Sequence, residues 1–339
     1  MTKNALGFIL IDAPHSALNM GDKDPAAAYE NETPVKAIRR DGSIIPYVSA
    51  QAWRYWWRNT LEAKFDWPMS PVIRGADVAF TSANPFKYPD DDVFGYMRAT
   101  KKKEEGTLTR LSPLKTSPLI SVLPQKPTDD FGSMTRGHEG EPVLHQHQFY
   151  STVLRGIFSL DLSSVGIFSE IARTGYKNLD GKYAAKPEIK DAIATSGATK
   201  EEGESWTLPK PERVKRASEA IGALPYLNGG AKLALHLTDV TPKFIILAVI
   251  RGGNHLFMNI TSSEPGKLIN MAALKQVITD YKDIILSDVF IGRLEGFQDD
   301  LKQELESLRQ KLNDVKTLHL LSPKQAVEEF TKTLAEHID

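Results

Sequence analysis

The chain has 339 residues, 42 basic against 43 acidic side chains for a formal charge of −1, and 41% hydrophobic residues. It contains no cysteine, which excludes disulfides, thiolate zinc sites, iron–sulfur clusters and cysteine nucleophiles. The longest purely apolar run, Phe244–Ile250, has seven residues against the roughly 20 that a spanning helix needs, and the near-zero charge argues against a polybasic nucleic-acid coat.

The length suits two domains or one elaborated domain. The apolar stretch Ala5–Ile11 meets Asp12 and His15 at once and lacks a small-residue cleavage site. It therefore reads as a buried strand over Leu6–Ile11 and not as a signal peptide. A cytoplasmic protein with no membrane partner is expected. A loop over Asp12–Asp24 follows, then a hairpin over Lys36–Tyr47 turning at Asp41-Gly42. Ser49 is a good N-cap for a helix running to about Lys64. Strands are expected at Leu119–Leu123 and Tyr150–Leu162, and a helix near Val165–Arg173. Lys232–Val240 alternates Leu233, Leu235 and Leu237 with polar residues, which predicts a strand. Phe244–Ile250 is apolar on both faces and reads as a central strand. Helices follow at Met271–Tyr281 and along a C-terminal stripe of Leu294, Leu301, Leu305, Leu308, Leu312 and Val315.

The order strand, helix, strand, strand, helix, strand is that of an α+β, ferredoxin-like or RRM-like antiparallel sheet. Three long polar segments interrupt it: Asp66–Gly106, Pro124–Gln148 and Thr174–Leu224. Segments of that length sit at the surface and commonly carry function. There is no internal repeat.

Gln51, Arg54 and Arg58 share one helix face, with Trp53, Trp56, Trp57 and Leu61 largely on the other. Two guanidiniums and an amide in a row suit a phosphate backbone; a solvated basic face is the competing reading. Arg98–Lys115 carries six basic residues (Arg98, Lys101, Lys102, Lys103, Arg110, Lys115) against Glu104 and Glu105. Lys36–Lys64 carries six against Asp41 and Glu62, whereas Asp283–Asp339 has seven basic and twelve acidic residues. The balanced total thus hides two local surpluses of four and a deficit of five. Asn228-Gly229-Gly230-Ala231-Lys232 would let a ligand approach the backbone closely, or is simply a tight turn; it is not a Walker loop. Enzyme signatures are poor, with no G-x-S-x-G, H-E-x-x-H or EF-hand loop, and no cofactor is implied. Asp90–Asp92 and the pair His145 and His147 are weak metal candidates, and Asp12 with His15 a weak acid–base pair.

Five motifs in order resemble a family. They are Ser49-Ala-Gln-Ala-Trp-Arg54 with Arg58; Asp90–Met97; Arg110–Ser117; Phe158–Leu162; and Leu224–Lys232. The chain resembles DevR-type backbone subunits of type I-B Cascade, the CRISPR surveillance complex, within the Cas-seven superfamily. The resemblance implies a single elaborated domain over residues 1–339: an RRM-like palm, finger insertions at 66–106 and 174–224, a β-hairpin thumb at 124–149 and a C-terminal helical part at 263–339. It implies a non-catalytic subunit that assembles head to tail with further copies along crRNA, beside other Cascade subunits. Each thumb flips out a nucleotide, and the exposed guide bases pair with target DNA. The matching positions for guide contact are Asn19, Ser49, Gln51, Arg54, Arg58, Arg110, Lys115, Gly229, Gly230 and Lys232. Phe131 or Met134 is the thumb wedge. Lys101, Lys102, Lys103 and Lys200 are target-DNA contacts. The alternative is a type III-like subunit that cleaves target RNA through a metal-dependent Asp, with Asp12 or Asp90–Asp92 as candidates.

Overall fold

The computed structural model describes residues 2–22, 32–74, 78–99, 107–134, 143–173, 175–200, 205–262, 264 and 266–339. The chain begins with β1 (Lys3–Ser16), the two-residue β2 (Glu32–Thr33) and the hairpin of β3 (Ala37–Arg40) and β4 (Ser43–Val48). The turn of that hairpin falls on Asp41 and Gly42, both at positive φ, which matches the right-handed twist of the strands it joins. Helix α1 (Ala50–Phe65) starts where expected: the Ser49 hydroxyl accepts from the Ala52 N–H, and the helix ends at Asp66 in the left-handed region. Its buried tryptophans fix it in place. Trp53 Nε1 donates to Ser117 O at 2.8 Å and Trp57 Nε1 to Ala220 O at 2.6 Å, so their polar tips are satisfied while their rings fill the core.

The first insertion holds a hairpin of β5 (Val72–Arg74) and β6 (Ala79–Thr81), the short helix α2 (Pro89–Phe94), and a second pair, β7 (Tyr96–Arg98) with β8 (Leu108–Arg110). Strands β9 (Leu114–Thr116) and β10 (Leu119–Ser121) return to the main sheet. In β11 (Thr128–Met134) and the 19-residue β12 (Val143–Asp161), Thr128 faces Phe149 and Met134 faces Val143. Residues 128–134 and 143–149 thus pair antiparallel, and the rest of β12 pairs along β1. A three-stranded sheet of β13 (Ile167–Ser169), β14 (Thr199–Lys200) and β15 (Ser205–Thr207) carries α3 (Gly181–Ala184) and α4 (Pro187–Ser196). Then come α5 (Lys210–Gly222), β16 (Phe244–Arg251), α6 (Met271–Asp280), β17 (Val289–Arg293), α7 (Leu301–Leu312), β18 (Leu318–Leu321) and α8 (Pro323–Thr333).

The main sheet runs β18-β17-β16-β1-β12-β10-β4-β3 and is antiparallel except for the parallel β17–β18 pair and the parallel pairing of β2 with β12. Both faces are covered, which is why β1 and β16 read as continuous apolar runs. From β1, Ala5, Ile9 and Ile11 join one core beneath α1, α5 and α8, while Leu6, Phe8 and Leu10 join another beneath α6 and α7. A third, smaller core built on Phe86, Phe168 and Tyr183 holds the insertions together. The fold is mixed α+β. Among the described residues no helix is long and apolar enough to cross a membrane.

Four expected elements differ. The loop expected over Asp12–Asp24 starts later, because β1 continues to Ser16 and pairs with β12. Val165–Arg173 is not a helix: the chain turns at Gly166, whose φ is +71° and where a Cβ would meet the Arg213 side chain, and β13 then pairs with β15. Lys232–Val240 is not a strand. Both edges of β16 are taken, by β1 and β17, and the segment closes local turns in which the Leu235 and His236 N–H groups donate to Lys232 O. Leu237 is consequently left 88% exposed. Of the C-terminal stripe, only Leu301, Leu305, Leu308 and Leu312 lie on α7; Leu294 and Val315 fall outside it.

Candidate nucleic-acid interface

Three separate pieces of chain meet at the start of α1. The Asn19 side-chain carbonyl accepts from the Ser49 N–H at 3.0 Å, and the Asn19 backbone carbonyl accepts from the Lys36 N–H at 2.9 Å. Leu18 O accepts from the Ala231 N–H at 3.1 Å, which ties the glycine loop to the same spot. Gly229 packs against Trp56 so closely that a Cβ there would lie 2.1 Å from the indole Cγ. Only glycine fits. Gly230 and Lys232 both take positive φ and turn the loop back on itself. Between α1 and this loop runs a groove of about 720 Å³, lined among others by Asn19, Tyr55, Trp56, Asn59 and Asn228. Asn19, Ser49, Gly229 and Gly230 thus come together, with Gln51 exposed on the same helix.

The arginine row does not stand open beside them. Arg54 donates to Leu114 O, to Phe94 O at 3.1 Å and to Ser112 Oγ at 3.0 Å. Its guanidinium sits 5.0 Å from the Phe94 ring centroid and that of Arg58 sits 4.6 Å from it. Burial, with a smaller contribution from Arg58, brings Arg54 down to about 10, so it remains a cation at neutral pH. Of the predicted face, Gln51 alone is freely exposed; Arg54 and Arg58 are half-buried and clamp α2 against α1.

Arg110 is a correction. It is 5% exposed and paired with Asp92, and it also donates to Ile167 O at 2.7 Å and Ser164 O at 2.9 Å. Its role is structural, because a guanidinium so enclosed has no face left for a phosphate. Lys115 is exposed on β9. Lys200 pairs with Glu170 at 3.0 Å and lies 5.5 Å from the Trp206 ring centroid. Lys101, Lys102 and Lys103 lie outside the described residues. Phe131 and Met134 are exposed on β11, and residues 135–142 lie outside the described residues.

Asp90, Asp91 and Asp92 are all buried. Ser70 N–H donates to Asp90 at 3.0 Å, and Asn84 N–H to Asp91 at 2.9 Å. Burial first, then the neighbouring Asp91, raises Asp90 to about 6. Among the described residues no three His, Asp or Glu side chains are grouped so as to hold a metal ion.

With this geometry established, comparison with known proteins is informative. The family described as CRISPR-associated negative auto-regulator DevR/Csa2 matches residues 16–262. The chain belongs to the DevR/Csa2 family. No curated protein matches it. One solved chain from a CRISPR RNA-guided surveillance complex is similar with a TM-score of 0.53 at 11% identity, over 97% of this chain and 99% of that one. Another, from such a complex in a pre-nicking state, gives 0.54 at 10% identity, over 98% and 99%. At these identities the likeness speaks for the fold.

This DevR/Csa2 chain also holds a contact that the spacing of its histidines did not reveal. His236 Nδ1 donates to His15 O at 2.9 Å, so its Nε2 is free to accept, and His147 Nε2 faces it at 3.0 Å. Asp130 Oδ2 lies 3.2 Å from the same His147 nitrogen, and Phe149 packs on the His236 ring. The hairpin is thereby joined to the segment after the glycine loop. Burial, then Lys232, holds His147 below its ordinary 6.5, while Asp130 opposes them. A lowered imidazole stabilises the native state above about pH 6.5 and loses that contribution as pH falls towards the native value. Amide exchange in β11, corrected for intrinsic rate, is therefore expected to speed up between pH 7 and pH 5, and His147→Phe to remove most of that pH dependence. Equal protection at both pH values in the unmodified protein would show that the contact does not hold the hairpin.

Proposed function

We propose that the chain is a guide-RNA-holding backbone subunit of a Cascade-type CRISPR surveillance complex. The observation that carries this reading is the joining of the Asn19 loop, the N-terminus of α1 and the glycine loop around one groove, in a DevR/Csa2 chain. The strand order β16-β1-β12-β10, with α1 between β1 and β10 and α5 between β12 and β16, supports an RRM-like palm. The β11–β12 hairpin is its thumb, and Phe131 or Met134 the wedge, since unstacking a base calls for an exposed apolar side chain. Gln51, Lys232 and Lys115 hold the guide by its phosphates, independent of sequence. Copies stack head to tail along crRNA, and Lys101–Lys103 and Lys200 reach target DNA from the insertions. The subunit is a scaffold and not a nuclease, a reading supported by the commitment of Asp92 to two arginines and of Asp90 and Asp91 to backbone donors.

Equilibrium binding to single-stranded RNAs of unrelated sequence, at several salt concentrations, tests the proposal. Gln51→Ala combined with Lys232→Ala is expected to weaken every sequence alike, by about tenfold. It should also flatten the salt slope by about 0.7–1, because one phosphate is no longer neutralised by the Lys232 ammonium. Bound protein should increase with RNA length. A fixed 1:1 complex at every length overturns the filament, and metal-dependent cuts in guide-complementary RNA overturn the scaffold.

A further inference from the structure

On the N-terminal side of Tyr150, β12 leaves the main sheet. Its ladder with β1 shifts register between Ala13 and Ser16, where His15 takes a φ of +50°, and the last pair is Ser16 with Tyr150. Irregularities of this kind re-aim a strand. Beyond it β12 keeps β11 and the two-residue β2 as strand partners, and β2 sets the uncharged Thr33 beside His147. His236 reaches His147 from a segment stitched to the end of β1. Thr238 Oγ1 and Ser16 Oγ lie 2.8 Å apart in the interior, and the Ala231 N–H donates to Leu18 O at 3.1 Å. The two histidines therefore stand between the β11–β12 pair and the part of the chain that carries the glycine loop.

The hydrogens of this contact are constrained. The two Nε2 atoms, 3.0 Å apart, form a hydrogen bond only while one carries a hydrogen and the other does not. Protonating both rings sets two N–H donors against each other. Moving the hydrogen of His147 to Nδ1 buries an N–H instead, because His147 is 5% exposed and its Nδ1 meets no hydrogen-bond partner among the described residues. Burial, Lys232 from the glycine loop, His236 and His145 all oppose a proton on His147, and Asp130 on β11, 3.2 Å away, favours one. Resting on the guide-holding reading above, we infer that His147 and His236 form a proton-released latch between the β11–β12 pair and the guide-holding groove. With the latch closed the chain holds RNA at neutral pH, and acidification frees the pair of strands and lets the RNA go. The sign is the reverse of the ordinary one, since acidification charges histidines and added positive charge tightens phosphate contacts.

Anisotropy titrations of a labelled single-stranded RNA with the full-length protein test this, at fixed ionic strength from about pH 8 to about pH 5, the span over which imidazoles titrate. The dissociation constant of the unmodified chain is expected to rise about tenfold on acidification, against the charge trend. His147→Gln carries a carboxamide that can donate to a neutral His236 or accept from a charged one, and is expected to lose no affinity at low pH. Asp130→Asn removes the carboxylate that eases a proton onto His147, so its loss of affinity is expected at higher pH than in the unmodified chain. Asp130 is exposed, and this variant is expected to keep the native melting transition at the alkaline end of the range. If acidification leaves the affinity of the unmodified chain constant or raises it, or lowers it equally in His147→Gln, the latch is wrong and the guide-holding reading stands. A loss displaced to lower pH in Asp130→Asn overturns the latch as well. If the unmodified chain binds no RNA even at the alkaline end, it is the guide-holding reading that fails, and the control of RNA by the latch with it.

Discussion

Replacing Asp92 with alanine is expected to lower the unfolding free energy by about 3–5 kcal/mol, the range seen when one partner of a buried ion pair is removed. The carboxylate is fully buried. One oxygen pairs with Arg110; the other accepts from Arg216 Nη1 at 2.9 Å and from the Gly166 N–H at 3.0 Å. Arg216 in turn donates to Pro85 O at 2.7 Å and Phe86 O at 3.1 Å, and Arg110 to the carbonyls of Ser164 and Ile167. One carboxylate therefore joins α2, β8, α5 and two loops. Its removal leaves enclosed Arg110 without the carboxylate it pairs with and Arg216 with Glu212, at 2.8 Å, as its remaining ion-pair partner among the described residues, which costs more than the missing hydrogen bonds alone. Asp92→Asn keeps the volume and an acceptor but not the charge, so it should recover only part of the loss. Urea denaturation followed by tryptophan fluorescence measures both variants, and an Asp92→Ala midpoint equal to that of the unmodified protein would show that the network does not hold the insertion.

The second large effect is expected at Gly229. An alanine methyl there would meet Trp56 at 2.1 Å from Cγ and 2.3 Å from Cδ1. Trp56 is buried, on a helix face that it shares with Trp53 and Trp57, so the ring cannot swing clear. Overpacking of this kind costs about 1–3 kcal/mol, and relief comes only by lifting the glycine loop off α1. Lifting it opens the groove, so Gly229→Ala is expected to weaken RNA binding by more than about tenfold, beyond what its stability loss accounts for. Gly253→Ala is the control, since nothing lies within 4 Å of a Cβ there and its φ is not positive. Thermal melting and RNA titration of the two variants side by side decide the matter; equal RNA affinity for Gly229→Ala and the unmodified chain would count against the groove as the binding element.

Much of the local structure was legible because it depends on neighbours in the chain. Ser49 caps α1 through a hydroxyl three residues from its donor. Asp41-Gly42 turns a hairpin because both residues tolerate positive φ. The apolar run of β1 indicated a buried strand, and that of β16 a central strand covered on both faces. Helical periodicity likewise separated the tryptophan side of α1 from the arginine side, but it could not say what lay against either. The partners of Arg54, the carbonyls of Phe94 and Leu114 and the hydroxyl of Ser112, lie 40 to 60 residues away, and no spacing rule reaches them. The same holds for Arg110, carried over from the resemblance as a guide contact and found in the interior. Lys232–Val240 failed for a related reason: alternation predicts a strand only where a sheet edge is open, and β16 has none.

By itself, then, the sequence determined the family, the start of α1, the two-faced central strands and the glycine turn ahead of Lys232, since these follow from ordered motifs, short-range sterics, hydrogen bonding and the period of apolar residues. Net charge excluded a polybasic surface and nothing finer. Which cations face solvent was decided by tertiary structure alone. Arg54, Arg58, Arg110 and Arg216 all carry charge, yet Arg110 and Arg216 are buried and Arg54 and Arg58 half-buried, each against carboxylates, carbonyls or rings brought from distant segments. A buried charge is tolerated only where such partners converge, and that convergence is a property of the packed chain. The meeting of Asn19, α1 and the glycine loop around one groove is likewise a consequence of packing, drawn from residues some 210 positions apart in the sequence.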